Sequence, residues 1–402
     1  MSRKIKIILI VLVIAIIGAL IRFVFLGNSN TPLGEVIRNS LPFGSDAGLD
    51  IPTIGEGGLG EPTQALDGEG NIVSSLFYIS NTPVSGSIVL EDGEKSIVRY
   101  VDRATGHIYD IDLGTLSKTK VSNETIPKVY EAHFSQNGSE VLYRLLEDNE
   151  GRNISLSIAK SKSASTTDEA LYDITTNVLR TDIENLTVEG DSLYYFLKDS
   201  ASLVSSKFNG SGVKTLLNSP FKDWVIVNGG GVNIYTKANS RTPGYAYSVT
   251  SSGQLQKILG PLDNLTVNID QGAKRILYGY NSGGEFKLYF KNLQNNISGE
   301  MFPKTFPEKC VWSAKQVGVV FCGVIDREIL SDSLENWYKG VYHSSDQIWL
   351  FDTDTDIAEI LSEPKKAFGL DLDVYNPYLS PSEDYLIFTN KNDLSLWALR
   401  LN

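Results

Sequence analysis

Cysteine and histidine are scarce in this chain, and the scarcity removes whole classes of chemistry. There are two cysteines, Cys310 and Cys322, and three histidines, His107, His133 and His343, in 402 residues. A tetrahedral zinc site needs four ligands, and neither Cys has a His close to it in sequence. No H-E-x-x-H spacing exists, so a zinc protease site is unsupported. No G-x-S-x-G nucleophile elbow occurs either. Past residue 72 no long amphipathic helix can be drawn. Basic charge is also short: 36 Lys+Arg face 48 Asp+Glu. Residues 1–26 hold four of the bases and no acid, which leaves 32 against 48 in the rest, a net of −16. Such a field repels phosphate backbones, so no nucleic-acid partner is expected. No catalytic residue, metal ligand or cofactor is expected from this inventory. Asp352, Asp354, Asp356 and Glu363 match the acidic positions of a calcium loop, but Ile357 stands where such a loop needs glycine. An acid-decorated hairpin turn is the better reading.

One long hydrophobic run is present. Ile7 to Ile21 is unbroken, and Phe23–Leu26 extends it past Arg22. At about 1.5 Å per residue, twenty helical residues cover the hydrocarbon core of a bilayer. Arg3, Lys4 and Lys6 precede the run, while residues 27–71 carry only Arg38. The positive-inside rule then places residues 1–6 in the cytoplasm and the bulk of the chain outside. Arg22 sits near the apolar end, where its stem can snorkel to the interface. The run ends without the small-residue pattern of a cleavage site, so a retained anchor at 7–26 is favoured over a cleaved signal peptide or a buried soluble helix. The bilayer is thus the first expected partner.

Residues 27–71 contain ten Gly and four Pro among scattered acids. This composition buries too little apolar area to offset backbone entropy, and it reads as a flexible linker. From residue 72 to 402 the texture changes to short Val/Ile/Tyr/Phe/Leu runs between Gly/Asn/Asp/Ser turns. Phe134–Tyr143, Val188–Tyr195, Val267–Tyr278 and Leu379–Phe388 each read as an apolar residue, a polar turn and an alternating aromatic strand. Units start near Gly86, Val129, Ile183, Asp223, Asn264, Cys310 and Asp373. These gaps suit four-stranded propeller blades. The last unit is one strand short, and Leu76–Ser80 is one strand too many. The expected fold is therefore all-β: a single β-propeller of seven blades, its N-terminal strand closing the last blade, preceded by one transmembrane helix. Six or eight blades remain open.

The turn-strand units resemble the WD40-like repeats called PD40, found in TolB-type proteins and in relatives of prolyl oligopeptidase. The copies are F-S-Q-N-G-S-E-V-L-Y (134–143) and L-S-P-S-E-D-Y-L-I-F (379–388). The first lacks the motif's proline and the second its glycine. The order of anchor, acidic linker and propeller also resembles uncharacterised membrane-anchored proteins of candidate-phylum bacteria. Y-V-D-R-A-T-G-H-I-Y (100–109) and residues 310–351 prompt that comparison. Neither resemblance implies an activity.

Cys310 and Cys322 flank two short strands around a turn near Lys315-Gln316. A hairpin centred on Gln316 opposes them within disulfide range. Two buried free thiols are the alternative. His107 reads as a turn residue and His133 as a packed strand residue. Asn-x-Ser/Thr triplets, Asn153 and Asn264 among them, read as turns. The segment Ile325–Gln347 interrupts the strand pattern and carries Trp337, Tyr338, Tyr342 and His343, which make it the candidate binding surface. The competing reading folds Trp337 and Tyr338 back over the sheet. A second loop, Ser161–Asp182, has fewer aromatics. The leading expectation is a non-catalytic module that binds a protein or an envelope polymer. The alternative is a glycan hydrolase or lyase in the channel, with Arg99, Arg144, Arg275 and Asp373 converging there.

Overall fold

The computed structural model describes residues 74–401, apart from 94, 148–149, 161–171, 238 and 240–241. The apolar segment 7–26 and the linker 27–71 lie outside the described residues. Among the described residues, no helix is long and apolar enough to cross a membrane.

Strands dominate. β1 (Leu76–Ser80) comes first. β2 (Val84–Asp92), β3 (Lys95–Asp102), β4 (Ile108–Asp112) and β5 (Lys118–Lys120) then form an antiparallel meander. The second meander is β6 (Val129–Phe134), β7 (Glu140–Glu147), β8 (Glu150–Lys160) and β9 (Tyr172–Val178). In the third are β10 (Ile183–Glu189), β11 (Ser192–Leu197), β12 (Ser202–Lys207) and β13 (Lys214–Asn218). A seven-stranded sheet follows: β14 (Trp224–Asn228), β15 (Val232–Thr236), β16 (Pro243–Val249), β17 (Leu255–Ile269), β18 (Arg275–Ser282), β19 (Glu285–Asn292) and β20 (Ser298–Glu300). β17 serves twice, pairing β16 through Leu255–Asp263 and β18 through Asp263–Ile269. Next come β21 (Cys310–Trp312), β22 (Val319–Val324), β23 (Gln347–Asp352) and β24 (Ile357–Ser362). Last are β25 (Val374–Leu379), β26 (Tyr385–Asn390) and β27 (Leu396–Arg400), with β1 as their fourth strand. Leu76 pairs with Leu399 and Phe77 with Ala398. Two short helices, α1 (Ser333–Tyr338) and α2 (Pro364–Phe368), are the α-helices among the described residues.

The alternation of side chains explains the stacking of sheets. Val141, Tyr143 and Leu145 of β7 point to one face and pack with Val101 and Ile108 of the first meander. Leu142 points to the other face and packs with Leu193 and Val204 of the third. Apolar clusters of this kind fill the gap between each unit and the next, and one of them joins β1, β26 and β27 to β2 and β3. The first strands touch in chain order, β2 to β6, β6 to β10, β10 to β14, then β17, β21 and β25. Tyr378 on β25 donates its hydroxyl to Ser87 on β2 at 2.8 Å, which returns the series to its start. Gly86 lies where β2 meets β6: a Cβ there would sit 1.9 Å from the Ala132 carbonyl oxygen. Radial sheets around a closed set of inner strands make a β-propeller.

Turn chemistry sets the hairpins. In the 134–143 copy, Asn137 Oδ1 accepts from the Ser139 N–H at 2.9 Å, and Gly138 takes φ 65°. Cys310 and Cys322 are register partners and form a disulfide, with Cα atoms 4.1 Å apart. Some expectations need correction. Residues 172–178 of the expected loop Ser161–Asp182 are strand β9, paired with β8. Asn153 is a buried strand residue rather than a turn, opposite Arg144 of β7, and Asn264 is buried at the irregularity in β17 with φ 55°.

Candidate functional site

The segment between β22 and β23 is held down by a buried ionic cluster. Lys309 ends the short 3₁₀ turn Pro307–Lys309 ahead of β21. Its Nζ lies 2.6 Å from Asp346 Oδ2, 2.5 Å from Asp373 Oδ1 and 3.0 Å from Ser344 Oγ. All three charged side chains are wholly buried. Trp337 of α1 donates its indole N–H to Asp373 Oδ1 at 2.9 Å. The ammonium groups of Lys309 and Lys391 lie 5.1 and 5.0 Å from its ring centroid. Asp346 also accepts from the Val374 N–H at 2.8 Å. Burial drives the Asp346 carboxyl upward from its ordinary range, Lys309 opposes this, and the neighbouring Asp373 adds to it. Two carboxylates share one ammonium.

For Trp337 the competing reading holds: it folds back over the sheet, and its place in the candidate binding surface is corrected. Trp337 is 1% exposed and packs on Phe306 and Tyr375. Its apolar ring and single N–H find a better environment beneath α1 than in water. Tyr338 keeps a ring edge in solvent while its hydroxyl donates to Glu308, which also accepts from Thr266. Burial raises the Glu308 carboxyl despite those two donors. Tyr342 is half-buried against Phe306, and His343 is exposed. The four aromatics therefore do not form one surface patch. What α1 offers outward is a groove of about 540 Å³ against the loops around β14–β16. Lys222, Lys237, Lys339 and Tyr338 line it, with Asp223 and Glu335 as the acids. Glu335 is paired with Lys339 at 2.8 Å.

The expected convergence of Arg99, Arg144, Arg275 and Asp373 is also corrected. Each ties neighbouring units together instead. Arg99 binds Asp110 through two 2.7 Å bonds and reaches the Gly138 carbonyl of the next unit at 2.8 Å. Arg144 donates to the Ile183 carbonyl at 3.2 Å, and Arg275 to Asp354 at 2.7 Å. Asp354 thus serves an arginine, and no group of three or more potential metal ligands occurs among the described residues.

Glu131 on β6 is the carboxylate that lines the cavity between the inner strands. Arg144 Nη1 lies 2.7 Å from its Oε2, and His133 Nε2 lies 2.9 Å from its Oε1. Burial pushes this carboxyl up, but His133 and Arg144 outweigh burial and hold it at about 2. A depressed carboxyl contributes stability above its unfolded value near 4.5 and loses it as pH falls toward 2. The melting-temperature gap between wild type and Glu131→Gln is therefore expected to close across that window. A constant gap would leave the carboxylate's charge without a role.

Lys309 and Asp346 escape sequence reasoning because their partners lie 37 and 64 residues away from Lys309, with no local spacing to mark them. Comparison with known proteins finds no matching family model and no matching curated protein. Solved structures do resemble the chain. YCF48 from Cyanidioschyzon merolae is 10% identical, with 80% of this chain and 96% of that one covered at a TM-score of 0.48. The Cps50 (Swd1) β-propeller domain from Myceliophteria thermophila is 9% identical, covering 81% and 100% at 0.47. TolB from Acinetobacter baumannii is 12% identical over 68% of this chain, which spans 62% of TolB, at 0.40. The likeness is one of fold alone.

Proposed function

We propose that this chain is a non-catalytic docking module of the cell envelope, a seven-bladed propeller displayed outside the membrane on an anchor at 7–26 and a linker at 27–71. The count follows from dividing the seven-stranded sheet at β17, which acts as the outer strand of one blade and the inner strand of the next. The observation that carries the docking reading is the locked insertion. Lys309, Asp346, Asp373 and Trp337 turn a long interruption into a rigid platform. The platform's groove sets three lysines and a tyrosine edge on a domain that is otherwise strongly acidic. That pattern suits a protein or envelope polymer presenting acidic groups. Deleting the insertion would break the buried cluster, so point changes at the groove make the better test. Tagged full-length protein is purified from native membranes as wild type and as the K222E/K237E/K339E variant. Recovery of the partner is expected to drop about tenfold or more in the variant. Equal recovery with both, or a partner with neither, would overturn the reading.

A further inference from the structure

We propose that the cavity between the inner strands binds a small organic anion, with Arg103 as its anchor. The cavity measures about 450 Å³ and is walled by β2, β6, β10 and β25. That volume suits a ligand of metabolite size. Arg103 lies half-buried at its wall. Its Nη1 donates to the Tyr130 carbonyl at 2.8 Å, which fixes the guanidinium in place. Among the described residues, no carboxylate pairs with it. Glu131, the carboxylate of this cavity, is already occupied by His133 and Arg144. One positive charge is left unspent in a domain (residues 72–402) whose 31 Lys+Arg face 41 Asp+Glu, a net of −10. The planar fork of arginine matches carboxylate and phosphate oxygens in pairs.

The rest of the wall selects the body of the ligand. Tyr375 and Tyr378 supply aromatic faces, and Ser87 and Asn376 supply polar groups. Tyr375 lies within electrostatic reach of both Arg103 and Glu131, so the cation, the aromatic and the neutralised carboxylate share one corner. A polyanion would meet the acidic exterior before it met Arg103. The class that fits is therefore a small acid with one anionic group and a polar body. This site is separate from the groove at α1, so the failure of either proposal leaves the other standing.

Calorimetric titration of the full-length chain in nonionic detergent tests the assignment. The probes are lactate, gluconate and glucose 6-phosphate, with lactamide and glucose as neutral counterparts. At least one acid is expected to bind, and its neutral counterpart about tenfold more weakly or not at all. Binding by lactate or gluconate assigns a carboxylate ligand; binding by glucose 6-phosphate alone assigns a phosphate. Arg103→Gln keeps an amide donor for the Tyr130 carbonyl but removes the charge. This variant is expected to lose acid binding while melting as wild type does. If it fails to fold, salt decides: raising NaCl from about 50 to about 500 mM should weaken the wild-type complex several-fold. Absence of binding by all three acids, equal binding of a neutral counterpart, undiminished binding by the folded variant, or indifference to salt would overturn the proposal.

Discussion

Lys309→Met is expected to lower the unfolding free energy by about 3–5 kcal/mol, read as a shift of the urea midpoint at pH 7. The wild-type cluster buries one ammonium with two carboxylates, all at zero exposure. Removing the cation strands Asp346 and Asp373 in a dry site with the Trp337 N–H and a few backbone donors. Uncompensated buried charge is far more expensive than a lost surface pair. The same logic gives a pH signature. A carboxyl raised above its unfolded value favours the folded state at low pH and loses that advantage as pH rises. Asp346 is already raised, from 3.8 upward, with Lys309 in place. The variant should therefore recover part of its stability as pH falls toward 4, and adding Asp346→Asn should recover more. Lys391→Met, on a partly exposed lysine, is the control and should cost less. Equal shifts for the two lysine variants would mean that the buried cluster does not hold the insertion.

Removing β1 is expected to have a larger effect still. Leu76, Phe77 and Ile79 are each at most 4% exposed. At about 1.5–3 kcal/mol for each buried side chain, their loss amounts to roughly 5–9 kcal/mol. That is comparable with the whole stability of an ordinary domain, about 5–15 kcal/mol. It also bares the edge of β27, a template for pairing with other chains. A chain starting at residue 82 should elute as soluble aggregate and show a broadened, weakened melt. A synthetic peptide spanning 74–82 should restore monomer when added in trans. A monomeric truncated chain melting within about one degree of a chain starting at residue 72 would show that the closure contributes little.

The fold was largely legible because its signals are local. Unit starts expected near Val129, Ile183 and Cys310 coincide with the first residues of β6, β10 and β21. Turns such as Ser135–Gly138 are written in adjacent residues, since Asn137 and Gly138 supply the acceptor and the positive φ themselves. The missing strand of the last unit and the surplus Leu76–Ser80 pointed to one pairing, and β1 lies beside β27. The site was less legible, because its chemistry depends on distant partners. Arg99 and Arg144 looked available for catalysis until their neighbours' carbonyls were in view. Trp337 resembled a surface anchor because a loop full of acids and serines says nothing about the Asp373 carboxylate waiting beneath it. The unit start expected near Asn264 falls inside β17, where the strand passes from pairing β16 to pairing β18.

The β1–β27 pairing sets a clock on biogenesis. More than three hundred residues separate Ser80 from Leu396, its partner across the sheet. A ribosome working at about 5–20 residues per second needs roughly 15–60 s to cover that distance. Throughout this interval the sequence Leu-Phe-Tyr-Ile-Ser has been made but its strand partner has not. The first of the described strands is thus the last to be seated, and a holding factor that shields it during this wait would raise the yield of closed rings without altering their final stability.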